Sequence, residues 1–144
     1  MPHITRFALV PYSTEQMFTL VNDISAYPEF IPGCTASRVL EQNGSELIAE
    51  INVSKAGISK SFTTRNIITK NQSIVMCLVE GPFSSFTGDW RFIPLSEEAS
   101  KVEFHLDFEF KNKLIELAFG RIFKEMANSM VMAFTRRAKE VYHA

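Results

Sequence analysis

Cysteine is nearly missing from this chain: Cys34 and Cys77 are its only two. They stand too far apart for a disulfide framework and match no metal-ligand spacing, so both read as reduced thiols or small core hydrophobes. No apolar run approaches the roughly 18 residues of a membrane span, and the first residues lack the apolar stretch of a signal peptide. The expectation is a soluble cytosolic protein without a transmembrane segment. A charge excess is also missing: the net charge is -1, which argues neither for nor against nucleic acid. Catalytic spacings are absent. There is no G-x-S-x-G, no phosphate loop and no zinc pattern, and His3 and His143 stand at the two ends. His105 and Asp107 share one face of an alternating strand, the wet one, with no nucleophile in any motif beside them. No catalytic or metal-binding residue is therefore expected. Trp and Tyr are scarce, at one and three, against thirteen Phe and six Met. Phe and Met carry no strong hydrogen-bonding group, which suits an apolar lining that adapts in shape.

What is present is period. From Val102 to Phe110 the even residues are apolar (Val102, Phe104, Leu106, Phe108, Phe110) and the odd ones polar. That is a half-buried antiparallel strand. After Asn112 the period becomes helical, with Ile115, Phe119, Ile122, Met126, Met130 and Phe134 as one stripe. Beside the stripe lie Leu114, Leu117, Ala118, Phe123, Ala127, Val131, Met132 and Ala133, so the apolar arc is broad. The helix is expected from about Lys113 to Tyr142, with Gly120 as a candidate kink or close-contact point.

Upstream, His3 to Val10 reads as a strand, and Ser13 with Gln16 forms a capping box ahead of a helix ending near Asp23. A short helix or turn over 25–30 is stopped by Pro32-Gly33. Strands follow near 35–42, 46–55, 58–69, 73–80, 84–95 and 100–111, with Asn43-Gly44 a hairpin signal. At 144 residues and 46% hydrophobic, this is one domain over 1–144 with a core that needs no staples. The order predicts an α+β fold: a curved antiparallel sheet of about seven strands, two short helices after the first strand, and a long C-terminal helix. Some 30 residues at 1.5 Å each give roughly 45 Å, enough to cross the whole sheet. This is a helix-grip arrangement, in which the helix either packs solid on the sheet or encloses a pocket.

Two constellations are candidate sites. The first is the gap between helix and sheet: Trp90, Phe92, Phe104, Leu106 and Phe108 on one side, Phe119, Phe123, Met126 and Met130 on the other. Phe62 joins this lining, and Tyr27 and Phe30 close one end. On the residues alone the gap reads as an ordinary core or as an apolar pocket. In strand 73–80 either Ile74, Met76 and Leu78 or Val75, Cys77 and Val79 face inward. The second is electrostatic. No acidic residue lies between Glu50 and Glu80, while Lys55, Lys60, Arg65 and Lys70 do, and the last helix adds Arg121 and Lys124 among other cations. Such an edge reads as a solvated surface or as a phosphate-contacting one for RNA; no DNA partner is expected. It lacks the aromatic interleaving of base-stacking modules, so shape and phosphate contact would carry the binding.

The segment Val10-Pro11-Tyr12, Phe18, Val21, Asp23, Tyr27-Pro28, Phe30, Pro32 and Cys34 resembles the N-terminal signature of the coenzyme Q-binding START-domain family. Lys55-Ala56-Gly57-Ile58, Phe62-Thr63-Thr64-Arg65-Asn66, Gly81-Pro82-Phe83 and Asn112-Lys113-Leu114-Ile115 resemble its bacterial, ribosome-associating toxin branch. The resemblance covers essentially the whole chain. It implies a Bet v 1-like helix-grip fold with an interior cavity, and so favours the pocket over the solid core. For some members it implies a ubiquinone or other isoprenoid lipid as ligand, with no cofactor required. For the bacterial branch it implies binding to the large ribosomal subunit, interference with subunit joining, and pairing with a small antitoxin protein. It leaves open a quinone chaperone serving respiration, peripheral at the inner membrane and without a ribosome role, and a cyclase-type enzyme on the same fold. The Tyr27–Cys34 segment then reads either as a structural seal or as the gate for a lipid tail.

Overall fold

The computed structural model of the chain describes residues 2–142, so His143 lies outside the described residues. Strand β1 (His3–Val10) leads through Pro11-Tyr12 to helix α1 (Thr14–Asn22) and a 3-10 helix (Ile24–Glu29). Strands β2 (Cys34–Asn43), β3 (Glu46–Lys55), β4 (Ile58–Thr69), β5 (Ser73–Glu80), β6 (Phe83–Pro94) and β7 (Ser100–Phe110) follow, and helix α2 (Lys113–Tyr142) closes the order. The capping box at Ser13 is formed in both directions: its Oγ accepts from the Gln16 N–H at 3.1 Å, and its own N–H donates to Gln16 Oε1 at 2.9 Å.

All seven strands form one antiparallel sheet in the order β1-β7-β6-β5-β4-β3-β2. Sequential hairpins give the meander from β2 to β7, and β1 is added to the far side of β7. In β7 the even residues are buried and the odd ones wet, as the alternation requires. His105 and Asp107 lie on that wet face; Asp107 sits 2.5 Å from His3 Nδ1, and Glu103 bridges Lys101 at 2.9 Å. Lys101 and the neighbouring His105 hold the Glu103 carboxyl below the usual carboxylate range. In β5 the phase is settled: Ile74 is buried and Met76 and Leu78 pack against the core, while Val75 and Val79 are exposed.

The apolar arc read from the α2 sequence is too broad. Phe119, Phe123, Met126, Ala127, Met130, Phe134 and Ala138 are buried against the sheet, but Leu114 (76% exposed), Leu117 (78%) and Met132 (66%) point to solvent. A straight helix offers one face to one sheet, and these three project from the other side. Helix α2 runs unbroken through Gly120, which is a close-contact point: a Cβ there would lie 3.4 Å from the Phe110 ring.

The core is filled unequally along α2. Toward its N-terminus Phe62, Phe83, Phe86, Phe108, Phe110, Phe119 and Phe123 form one aromatic cluster, with Phe83 and Phe108 at 4.9 and 5.0 Å from the Phe123 ring centroid. Toward the C-terminus Trp90 stacks on Phe104 at 4.4 Å and meets Phe134 edge-on at 5.3 Å. Between the two clusters one inward-facing rung crosses the sheet: Leu47, Asn66, Met76, Gly88, Leu106 and Ile4 are successive register partners. That rung holds an amide, a flexible thioether and, at Gly88, no side chain. Aromatic filling stops there.

Candidate functional site

The gap left by that rung is the candidate site. It is a narrow interior void of about 40 Å³ between the sheet and the middle of α2. Tyr27, Phe62, Trp90, Phe104, Leu106, Phe123, Met126 and Met130 line it. Four residues expected in the lining do not reach it. Phe92 is buried one rung too far along β6, edge-on to Phe18 of α1 at 5.7 Å. Phe108 and Phe119 are fully buried inside the aromatic cluster. Phe30 lies on the far side of Phe134, 5.2 Å away, with the Arg137 guanidinium 5.0 Å over its ring.

The sequence reading missed part of the lining: Ile24, Ile51, Thr64, Asn66, Met76, Phe86 and Ala127. Thr64 and Asn66 matter most, because they are polar in an apolar wall. Both are buried, at 4% and 5% exposure. The Thr64 hydroxyl donates to Asn66 Oδ1 at 2.9 Å. The signal was available: strict alternation from Phe62 puts residues 64 and 66 on the inward face of β4. The Asn66 amide, its Oδ1 taken up by Thr64, is part of the wall of the gap.

Tyr27 is the one titratable residue of the lining. Its hydroxyl donates to the Val21 carbonyl at 2.5 Å, and burial, with the nearby Cys34 and Asp23, pushes its pKa well above the ordinary phenol value. It is a neutral, tethered phenol. Among the described residues no group of three His, Cys, Asp or Glu side chains could hold a metal ion, and no helix is long and apolar enough to cross a membrane.

A void of about 40 Å³ has room for a few water molecules and lies far below the roughly 300–1,000 Å³ of sites for drug-sized ligands. Three of its walls are Met76, Met126 and Met130, unbranched side chains that refill space by changing rotamer. On the outer side of Met126 a second apolar pocket of about 350 Å³ opens between Pro32, Gly33, Ser54 and Lys55 on one bank and Ile122, Glu125 and Ser129 on the other. The Tyr27–Cys34 segment thus divides its roles: Tyr27 walls the inner void and Pro32-Gly33 the outer pocket. Across that pocket Lys55 bonds Glu125 at 3.0 Å, and Arg121 reaches the same carboxylate at 3.3 Å. The Lys55 hydrogen bond, then its charge, hold the Glu125 carboxyl below the usual range.

The basic residues do not converge on one patch. Lys55, Arg121 and Lys124 border the outer face of α2, where a shallow groove runs from Glu116 to Met132. Lys60 stands on the same hairpin as Lys55. Arg65 projects from the sheet's outer surface beside Glu46, 3.9 Å away, and Lys70 sits in the turn at the opposite end of β4. A strand of that length spans roughly 40 Å, so Lys70 cannot share a contact with Lys55.

A sequence profile for the family described as polyketide cyclase / dehydrase and lipid transport matches residues 10–135. The chain is 66% identical over all 144 residues to the ribosome association toxin RatA of Escherichia coli (strain K12), covering 91% of that protein. It is 30% identical over 135 residues to the mitochondrial coenzyme Q-binding protein COQ10 homolog B of Xenopus laevis, covering 91% of this chain and 55% of that one. Its fold matches the Zhui aromatase/cyclase of Streptomyces sp. R1128 with a TM-score of 0.87 at 16% identity, over 99% of this chain and 96% of the other. That last likeness concerns the fold alone.

Proposed function

The chain belongs to the polyketide cyclase / dehydrase and lipid transport family, and from that premise we propose that it is a non-enzymatic, cytoplasmic ribosome-association factor. In this reading it binds the large ribosomal subunit, hinders joining to the small one, and is held in check by a small antitoxin protein. The observation that carries the reading is the 66% identity over the full chain to a ribosome association toxin. Lys55, Arg121 and Lys124 around α2 supply local positive charge for rRNA phosphates, which a near-neutral net charge does not preclude. A non-enzymatic role is supported by the lining, whose one titratable group is a tethered phenol with a strongly raised pKa. The test is sedimentation of the purified protein with isolated large subunits. Binding should fall steeply with added salt and with Arg121→Glu plus Lys124→Glu; binding that ignores salt, or none, would count against it.

A second reading concerns the interior and is compatible with the first: the site takes an apolar, quinone-like lipid. The apolar lining and the buried amide of Asn66 support it. An isoprenoid quinone suits the chemistry of these residues, with carbonyl oxygens for Asn66 and a ring for Trp90 and Phe104. It exceeds the closed volume, so binding requires the methionines to move. The driving force is about 25 cal/mol per Å² of apolar surface withdrawn from water. Organic extraction of the purified protein, followed by mass spectrometry, tests this; Phe104→Arg should abolish co-purifying lipid. With such a ligand the protein would visit the inner membrane peripherally, and a quinone-chaperone role in respiration becomes the alternative function.

A further inference from the structure

The sheet has two edge strands, β1 and β2, and they are finished differently. An open edge is a row of unpaired N–H and C=O groups, which proteins blunt with charges, prolines, bulges or a covering element. Strand β2 carries such devices. Its register breaks between Cys34 and Ala36 and again between Val39 and Glu41, and it bears the charges of Arg38 and Glu41. The 3-10 helix also lies against it, with Ser37 Oγ donating to the Ile24 carbonyl at 2.7 Å. Strand β1 is bare by comparison. Its eight residues pair with β7 without a register shift, from His3 opposite Asp107 to Val10 opposite Ser100. It contains no lysine and no proline, and its one arginine, Arg6, is turned back onto α2, where Nη2 donates to Asn128 Oδ1 at 2.5 Å. On the outer face of this edge Phe7 is 62% exposed and Leu9 65%.

The hydrogen-bond phase fixes which main-chain groups point outward. The Phe108 N–H donates to the Pro2 carbonyl at 3.2 Å, so Pro2–Phe108 is a hydrogen-bonded pair, as is every second pair after it. The N–H and C=O groups of His3, Thr5, Phe7 and Leu9 therefore point away from β7. The Thr5 carbonyl agrees with that phase, since it accepts from the Arg6 guanidinium at 2.8 Å.

We propose that this edge pairs antiparallel with β1 of a second copy of the chain, with Phe7 on the twofold axis, joining two seven-stranded sheets into one. The sequence of β1 selects that register. Residues opposed across an antiparallel pair share one face of the sheet. With Phe7 opposite itself, Thr5 faces Leu9, and Arg6 faces Ala8, the smallest side chain of the strand. Thr5, Phe7 and Leu9 then each exchange main-chain bonds with their opposites. A pairing centred on Arg6 would set that cation against Arg6 of the second copy, a like-charge pair. One centred on Ala8 would set Thr5 against Pro11, which has no N–H to give. The pairing leaves the β3–β4 hairpin free, because those strands lie on the other side of the sheet.

Sedimentation velocity of the purified full chain over a range of concentrations reads the outcome. One strand pair makes a small interface, so a dimer that dissociates at about 1 μM–1 mM is expected. Phe7→Pro removes an N–H that β7 does not use, so it should raise the dissociation constant about tenfold or more and leave the far-UV circular dichroism unchanged. If Phe7→Pro does not fold, Phe7→Lys, which sets two like charges on the axis, replaces it. The register is read by oxidative cross-linking in a Cys77→Ser background. Phe7→Cys should link to its own copy, because opposed Cα atoms there lie about 5.5 Å apart, and Thr5→Cys should not. A strand of another protein on this edge would leave the purified chain monomeric at every concentration, and that result would overturn the proposal. So would a dimer indifferent to the Phe7 change. Cross-linking through Thr5→Cys in preference to Phe7→Cys would overturn the register.

Discussion

Cys34 is buried at the start of β2 with its thiol donating weakly to the Ala36 carbonyl at 3.7 Å. Burial pushes its pKa up to about 11 from an ordinary 9.0, against a small lowering by that hydrogen bond. A thiol whose pKa is raised in the folded state contributes stability that is complete below its unfolded value and is lost as pH rises through the folded one. Thermal denaturation should therefore show stability falling between pH 9.0 and about 11, and Cys34→Val should flatten that part of the profile. Unchanged slopes in the variant would mean that the thiol is solvated. The same raised value makes Cys34 a poor nucleophile at neutral pH. Gly88 gives a steric prediction at this scale. A Cβ at this position would stand 2.8 Å from the His105 carbonyl oxygen and 2.9 Å from a Leu106 methyl. Gly88→Ala should cost about 1–3 kcal/mol in urea unfolding, by prising β6 from β7 at the rung where the void lies. At this scale the sequence was informative about phase and silent about consequence. The alternation that puts Phe62 on the inward face of β4 puts Thr64 and Asn66 there too, but both are polar and stand outside the expected apolar lining. Phe108 and Phe119 fill the end of the core where no room is left, while Phe62, Trp90, Phe104 and Phe123 wall the void together with Thr64, Asn66 and Met76.

At the scale of elements, β7 and α2 were legible to different degrees. A strand with one wet face has a period of two and no ambiguity, and β7 buries every residue its pattern assigned. A helix has a continuous angular face, so an apolar count overstates what a single sheet covers. Leu114, Leu117 and Met132 show the surplus. Leu117→Ser should consequently change stability by no more than about 0.5 kcal/mol, whereas Phe123→Ala, at the centre of the aromatic cluster, should cost about 3–5 kcal/mol. Denaturant midpoints of the two variants check both. The strand boundaries from β2 to β7 were readable to within about one residue because turn chemistry punctuates each hairpin. Ala56 and Asn71 take up positive φ in two of the turns. The relative placement of the basic residues was not readable, because it depends on which end of β4 each one occupies. The structure separates Lys70 from Lys55 by the length of that strand and pairs Lys55 and Arg121 with Glu125. Lys55, Arg121 and Lys124 thus stand together where the middle of α2 meets the β3–β4 hairpin.

For the whole molecule, a helix laid across a seven-stranded sheet allows a solid core or a hollow one, and this chain lies close to the border. Its interior is packed with aromatics at both ends and keeps a small, partly polar void between them. The inner face of α2 lines that void while the outer face carries Arg121 and Lys124. Met126 on the inner side thus lies one residue from Glu125, which pairs with both Lys55 and Arg121 on the outer side. Ribosome association is read most directly from a sucrose-gradient profile of ribosomes with and without the purified protein. Fewer joined ribosomes and more free subunits are expected, with the protein co-sedimenting with the large subunit in low salt and leaving it in high salt. An unchanged profile, with the protein remaining at the top of the gradient, would contradict it.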